Sequence, residues 1–415
     1  MEKVITELVG VQRRTLRVLF AAQVIGGVGV GVGASVGALL AADLGGVAVS
    51  GLSQSATVVG AALLALPATA IVHKSGRRLS LTGCYLAAAV GSIAIVLAAV
   101  YNSVALLFSS FILFGGATAA SLQARYAAVD LAPIERRGRH LSIVAWATTL
   151  GAVAGPNLAA AAGESLVDYG IPTLAGPFVF SALLFVVAAS VLTLLMRPDP
   201  AVLARRVASD ANSGAPRQRV GMSAALRAVA SNPPARLGVA AVAVGHLVMV
   251  GVMAMTPVHI RSAGHGAAHT LRLVGVVLSL HIAGMYAFSP LVGWLTDRFG
   301  RRAMILTGIA LLVSACAVAG SAGSDTNYLA AALVILGLGW SCTMVAGSTL
   351  LSESVPAELR TSAQGLSDVA MGLAGASAGA LSGVVVSAWG FPTLALIAAL
   401  ATSPFVVLAT RKARG

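Results

Sequence analysis

The sequence predicts an all-α membrane protein of twelve transmembrane helices in two six-helix parallel repeats, and three observations carry that expectation. Of 415 residues, 58% are apolar and only 10% charged, where a water-soluble globule carries about 25% charge. Apolar stretches of about 18 residues or more recur along the whole chain, each long enough to cross about 30 Å of hydrocarbon as a helix. Two landmarks also recur. His73-Lys-Ser-Gly-Arg-Arg78 returns as Asp297-Arg-Phe-Gly-Arg-Arg302, and Arg137-Gly-Arg-His-Leu-Ser142 returns as Arg360-Thr-Ser-Ala-Gln-Gly365, with nearly equal displacements along the chain. Six apolar stretches separate the copies, so both halves share one orientation in the membrane.

The expected spans are approximately 17–41, 49–72, 79–100, 103–124, 141–162, 174–196, 237–260, 270–292, 303–321, 328–351, 361–388 and 392–410. The first follows the basic, partly polar segment Met1 to Arg17, which lacks a small-residue cleavage site, so a removable signal peptide is not expected. Between the sixth and seventh spans, Pro198, Pro200, Gly214, Pro216, Pro233 and Pro234 interrupt an arginine-rich run. This divides the chain into an N-terminal bundle, 1–196, a cytoplasmic linker, 197–236, with a short surface helix near Met222 to Ala230, and a C-terminal bundle, 237–415.

The net charge of +13 is a matter of topology. With the N-terminus in the cytoplasm, every Lys and Arg except Arg261 and Arg272 falls on the cytoplasmic side, as the positive-inside rule requires. That places a multi-pass protein in the cell (plasma or inner) membrane with both termini cytoplasmic, its basic loops facing anionic lipid heads. No basic stretch is interleaved with aromatics, so nucleic acid is not an expected partner. Cys84, Cys316 and Cys342 all fall within spans without paired spacing, which argues against a disulfide framework.

No Lys, Arg, Asp or Glu occupies the middle of any span, although intramembrane ionisable groups usually mark function. What remains at depth is imidazole and thioether. Each residue of a helix turns about 100°, so His246, Met249 and Met253 share one stripe while Met255 points the opposite way. His281 and Met285 form a second stripe one span later. If those spans are antiparallel neighbours, both stripes lie near the bilayer midplane. Neutral sulfur and nitrogen donors suit Cu(I) better than Zn²⁺, Mg²⁺ or Ca²⁺. The same methionines could instead form a pliable lining for a hydrophobic solute.

Gly293-Trp-Leu-Thr-Asp-Arg-Phe-Gly-Arg-Arg302 matches the loop signature G-x-x-x-D-R-x-G-R-R of the major facilitator superfamily, which the whole chain resembles. The first-half copy departs from it, with Thr69 for the glycine and His73 for the aspartate. Gly151-Ala-Val-Ala-Gly155-Pro156 is similar to the G-x-x-x-G-P motif of the family's antiporters; small residues four apart also let helices pack closely, and the proline bends the span. The resemblance implies a major facilitator fold and a gate formed by Asp297, Arg298, Gly300, Arg301 and Arg302. In that gate Asp297 accepts backbone N–H groups at the start of span five, Gly300 permits the turn, and the arginines meet headgroups or acids such as Glu135.

Met249-Val-Gly-Val-Met253 and His281-Ile-Ala-Gly-Met285 further resemble the paired M-x-x-x-M and H-x-x-x-M motifs of the CcoA-type copper importers. That resemblance implies Met249, Met253, His281 and Met285 as ligands. His246, Met255 and His259 stand outside the pattern as accessory candidates. His259, His265 and His269 near the outer loop could collect metal at an entrance, or form an ordinary solvated loop. The expected function is secondary active transport by alternating access, of copper or, alternatively, of drugs or small hydrophobic solutes by proton-coupled efflux. A monomer is expected, with no enzymatic activity and no cofactor, copper entering only as cargo.

Overall fold

A computed structural model describes residues 2–133, 136–210, 222–403 and 405. Glu135 and residues 211–221 of the expected linker lie outside the described residues. In hydrocarbon every backbone N–H and C=O needs an internal partner, which a helix supplies locally, so the apolar runs become helices. The first half contains α1 (Glu2–Gly45), α2 (Val47–Ser50), α3 (Leu52–Ser75), α4 (Arg77–Val100), α5 (Val104–Phe114), α6 (Gly116–Ala127), α7 (Arg137–Glu164) and α8 (Gly176–Leu195). Two short helices follow, α9 (Pro200–Asp210) and α10 (Met222–Ser231). The second half contains α11 (Pro233–Ser262), α12 (Ala267–Tyr286), α13 (Ser289–Phe299), α14 (Arg301–Ser321), α15 (Thr326–Ser354) and α16 (Arg360–Leu400).

Among the described residues, eleven helical stretches are long and apolar enough to cross a membrane. The last of them joins two helices at a kink, where Gly390 adopts φ 82° and ψ 169°, so it accounts for both the eleventh and twelfth expected spans. The protein is an all-α membrane protein. The helix α1 begins at Glu2 and so runs ahead of the apolar span expected from about residue 17. No proline or turn sequence interrupts residues 2–17, so the polar lead-in continues the helix.

The described residues fall into two compact units. One comprises Met1–Leu44, Ala56–Pro216 and Ala267–Gly275; the other comprises Gly45–Ser55, Arg217–Gly266 and Val276–Gly415. The start of the second span thus packs within the unit built largely from the later half, and the start of the eighth within the earlier one. In the second unit Ser55 Oγ donates to Ala376 O at 2.6 Å.

The repeat read from the sequence has a physical counterpart. Gly76 and Gly300, which hold the same place in the two copies of the first landmark, both turn the chain with positive φ, 95° and 90°, a conformation glycine adopts without steric penalty. Arg77, just after the first turn, forms a two-point ion pair with Asp130, Nε–Oδ2 2.9 Å and Nη2–Oδ1 3.2 Å. Arg301, just after the second, forms the same fork with Glu353, Nε–Oε2 3.0 Å and Nη2–Oε1 2.7 Å. Glu353 is displaced from Asp130 by nearly the same stretch of chain as Arg301 from Arg77, so the duplication carries a duplicated ion pair.

Gly151 and Gly155 form the seam of the first unit. A Cβ on Gly151 would stand 2.6 Å from Val28 N, and one on Gly155 2.6 Å from Val28 O, while Gly27 and Gly31 face them from α1. Pro156 closes the same seam against Gly31. Helices in lipid gain association energy from such close packing.

Gly155→Leu is therefore expected to lower the thermal unfolding midpoint of the purified protein, overpacking of a tight site costing about 1–3 kcal/mol or more. Gly83→Ala, at a position with open space around it, is expected to leave the midpoint unchanged or slightly higher. The two ion pairs should also respond unequally. Asp130→Asn breaks a pair whose side chains are only 14% and 16% exposed and should cost about 3 kcal/mol. Glu353→Gln, at a half-exposed carboxylate, should cost less than about 1 kcal/mol in the same melting experiment.

Candidate functional site

The second unit sets His281 and His246 against one face of α15. Leu333, Gly337 and Trp340 are spaced four and three residues apart and so form a single stripe. His281 on α12 is fully buried, and its Nδ1 lies 2.7 Å from Leu333 O. A carbonyl oxygen only accepts, so Nδ1 carries the hydrogen and Nε2 of the neutral ring keeps its lone pair. That Nε2 is buried and has no hydrogen-bond partner. Close backbone contact sets this geometry. A Cβ on Gly337 would stand 2.5 Å from His281 O and 2.9 Å from Met285 N, and one on Gly284 would stand 2.7 Å from Val334 O.

His246 on α11 meets the same stripe further along. Trp340 Nε1 donates to His246 Nδ1 at 3.1 Å. An indole N–H can only donate, so His246 holds the opposite tautomer, with its hydrogen on Nε2. Tyr286 stands edge-on to Trp340 at 5.6 Å between ring centroids. Gly375 on α16 leaves room for the imidazole, since a Cβ there would fall 2.9 Å from His246 Nε2.

The sulfur donors occupy mixed environments. Met249 and Met285 are buried, and Met253 is half-buried. The structure joins His281 and Met285 to one partner, α15, and it joins His246 to that partner as well. Met255 is fully buried and turned to α2, where Ser50 Oγ donates to its sulfur at 3.3 Å. His259 stacks on Phe391 at 4.2 Å, and its Nε2 lies 2.8 Å from Gly323 O, which gives it a packing role. Nδ1 of His265 lies 3.4 Å from Ile260 O. Among the described residues no three His, Cys, Asp or Glu side chains cluster to hold a metal. Cys84, Cys316 and Cys342 are free and buried.

Near the end of α13, Asp297 is 74% exposed and pairs with Arg301 Nη2 at 3.1 Å. Arg301 lies within reach of both Asp297 and Glu353, and its shorter contacts are to Glu353. Arg298 lies over the rings of Trp294 and Phe299, at 5.3 and 5.9 Å. Arg302 follows at the start of α14, half-buried.

A polar centre that the sequence did not single out lies in the first unit. Tyr85 donates to Gln23 Oε1 at 2.6 Å, and Gln23 Nε2 donates to Ser121 Oγ at 3.0 Å and to Thr148 Oγ1 at 3.2 Å. Gln23 is conspicuous as an amide within an apolar run. Its partners come from α4, α6 and α7, far along the chain, and no local pattern links them.

The sequence model of the Major Facilitator Superfamily matches residues 18–273 and 266–413. The chain is 39% identical over 391 residues to "Uncharacterized MFS-type transporter YddS" of Bacillus subtilis, covering 94% of this chain and 88% of that protein. It is 28% identical over 393 residues to "Riboflavin transporter RfnT" of Brucella anthropi, covering 92% and 91%. Among solved structures it is similar to the nucleoside transporter NupG, with TM-score 0.70, 15% identity and coverage of 97% and 100%. It is also similar to a bacterial homolog of the human lysosomal transporter Spinster, with TM-score 0.69, 15% identity and coverage of 95% on both sides. With a family match along almost its whole length, this chain belongs to the Major Facilitator Superfamily and is a multi-pass secondary transporter of small solutes.

Proposed function

We propose that the transported solute is copper, carried as Cu(I), with His281 Nε2 and the thioethers of Met249, Met253 and Met285 as donors taken up in turn or together. The supporting observation is the state of His281. Its Nδ1–H is held by the Leu333 carbonyl, and its Nε2 lone pair is buried without a partner. Metal-binding histidines use this arrangement, the outer hydrogen bond fixing the tautomer and aiming the ring. Neutral donors leave only one positive charge to accommodate at depth, and they release cargo more readily than thiolates would. The charge distribution supports the cell membrane as the location, with both termini cytoplasmic, and the carrier works as a monomer without a cofactor.

A second reading rests on a different observation. Trp340, Tyr286 and the Nε2–H of His246 present aromatic faces beside a hydrogen-bond donor, which suits a planar solute with carbonyl acceptors. A relative bears the name of a riboflavin transporter. Proton-coupled efflux of drugs has no comparable support, since no carboxylate occupies the middle of a span.

Radiocopper and labelled riboflavin uptake, measured in the same cells, separate the two. Copper accumulation is expected with wild type and should fall about tenfold or more in His281→Gln, the usual effect of losing a metal ligand, while His246→Gln changes it less than about twofold. Riboflavin uptake that disappears in His246→Gln or Trp340→Leu, with no copper uptake by wild type, would replace the copper reading with the second.

A further inference from the structure

A cavity of about 720 Å³ lies in the first unit, at the end that the charge distribution assigns to the cytoplasm. Its walls come from the start of α1, the segment after α6, the start of α7 and the linker helix α9. Arg13, Arg136 and Arg139 line it. All three are exposed, and none makes an ion pair among the described residues. The cavity's carboxylate, Asp130, is already engaged by Arg77. The described lining therefore carries net positive charge in the form of guanidinium forks, which match the oxygens of phosphate.

A second, independent feature narrows the ligand. Gln12 lines the cavity and is only 4% exposed. Its Nε2 donates to Ala128 O at 2.8 Å and lies 3.0 Å from His140 Nδ1. The Ala128 carbonyl fixes which end of the amide is nitrogen, because an oxygen there would face another acceptor. The opposite atom, Gln12 Oε1, is buried and has no hydrogen-bond partner. An unsatisfied buried acceptor is rare in folded proteins. Leu8, Leu16, Ile143 and Val207 complete the wall with apolar surface.

We infer that this cavity binds a phosphate ester that also carries a hydroxyl or ammonium donor. The phosphate meets Arg136 and Arg139, with Arg13 beside them, and the donor satisfies Gln12 Oε1. The apolar wall takes the carbon chain. Two sources share this chemistry: a membrane lipid headgroup such as phosphatidylglycerol, and a free glycerol phosphate. Bound there, the ligand would bridge α1 and α7 to α9, which is already tied down by Arg205 Nη1 donating to Val72 O at 3.0 Å and, through the residue just before it, by Asp199 Oδ2 accepting from Arg78 N at 2.7 Å.

The test uses the full-length protein in neutral detergent and reads its thermal unfolding midpoint. The probes are phosphatidylglycerol, phosphatidylcholine, glycerol 3-phosphate and inorganic phosphate, each titrated into wild type, R136Q/R139Q, Q12M and the control R227Q/R236Q, whose arginines lie outside the cavity. Wild type and control should gain about 3 °C or more at saturation with phosphatidylglycerol or glycerol 3-phosphate. R136Q/R139Q should need at least about tenfold more ligand for the same gain. Q12M removes only the acceptor and should weaken phosphatidylglycerol more than inorganic phosphate, which lacks the carbon-borne donor. A gain from the lipid alone identifies the headgroup as the source; a gain from glycerol 3-phosphate as well identifies the free ester. Equal gains with phosphatidylcholine, or equal titrations of wild type and R136Q/R139Q, would overturn the site.

Discussion

Hydrocarbon offers no hydrophobic force to press one apolar helix against another, so contact between bare backbones is the constraint on which the rest of this molecule depends. The seam of Gly27 and Gly31 against Gly151 and Gly155 brings α1 and α7 close enough for Gln23 to reach Thr148. The seam of Gly284 and Gly337 does the same for α12 and α15, and only at that separation can His281 donate to a main-chain carbonyl. A bulkier residue at either seam would move the polar groups out of reach while leaving each helix intact.

The two central histidines show how much of the chemistry is decided by partners rather than by residue type. His281 meets an acceptor and His246 meets a donor, so their free nitrogens have opposite character. One offers an electron pair to an electrophile, the other a hydrogen to an acceptor. In these tautomers they cannot serve one ion symmetrically. The Met/His stripe of α11 thus divides, with Met249 and Met253 as soft donors and His246 drawn into an aromatic group with Trp340 and Tyr286.

Much of the fold is legible in the sequence because membrane spans are encoded locally, in runs of apolar residues with basic flanks. The short helix expected near Met222 to Ala230 occurs as Met222–Ser231, and the boundary of the last two spans appears at Gly390. The helix α1 extends ahead of its apolar span, because polarity marks a span's edge while no proline or turn sequence in residues 2–17 ends the helix. The site is less legible. The motif stripes can be read from spacing, but the partners that fix tautomers and gates lie far along the chain. Leu333 is 52 positions from His281 and Trp340 is 94 from His246. The expectation for Asp297 rests on a family signature, whereas its ion pair with Arg301, four residues on, is local.

The paired forks of Arg77 with Asp130 and Arg301 with Glu353 make the molecule a family of two. Its halves have drifted apart as siblings do: one kept the loop signature, and the other replaced its glycine and aspartate with Thr69 and His73. What both kept is a turn at glycine followed by an arginine clasping an acid at the foot of the next span but one. Where two copies diverge in spelling yet agree in geometry, the geometry is what the architecture demands, and each half can serve as the other's internal reference for which substitutions it tolerates.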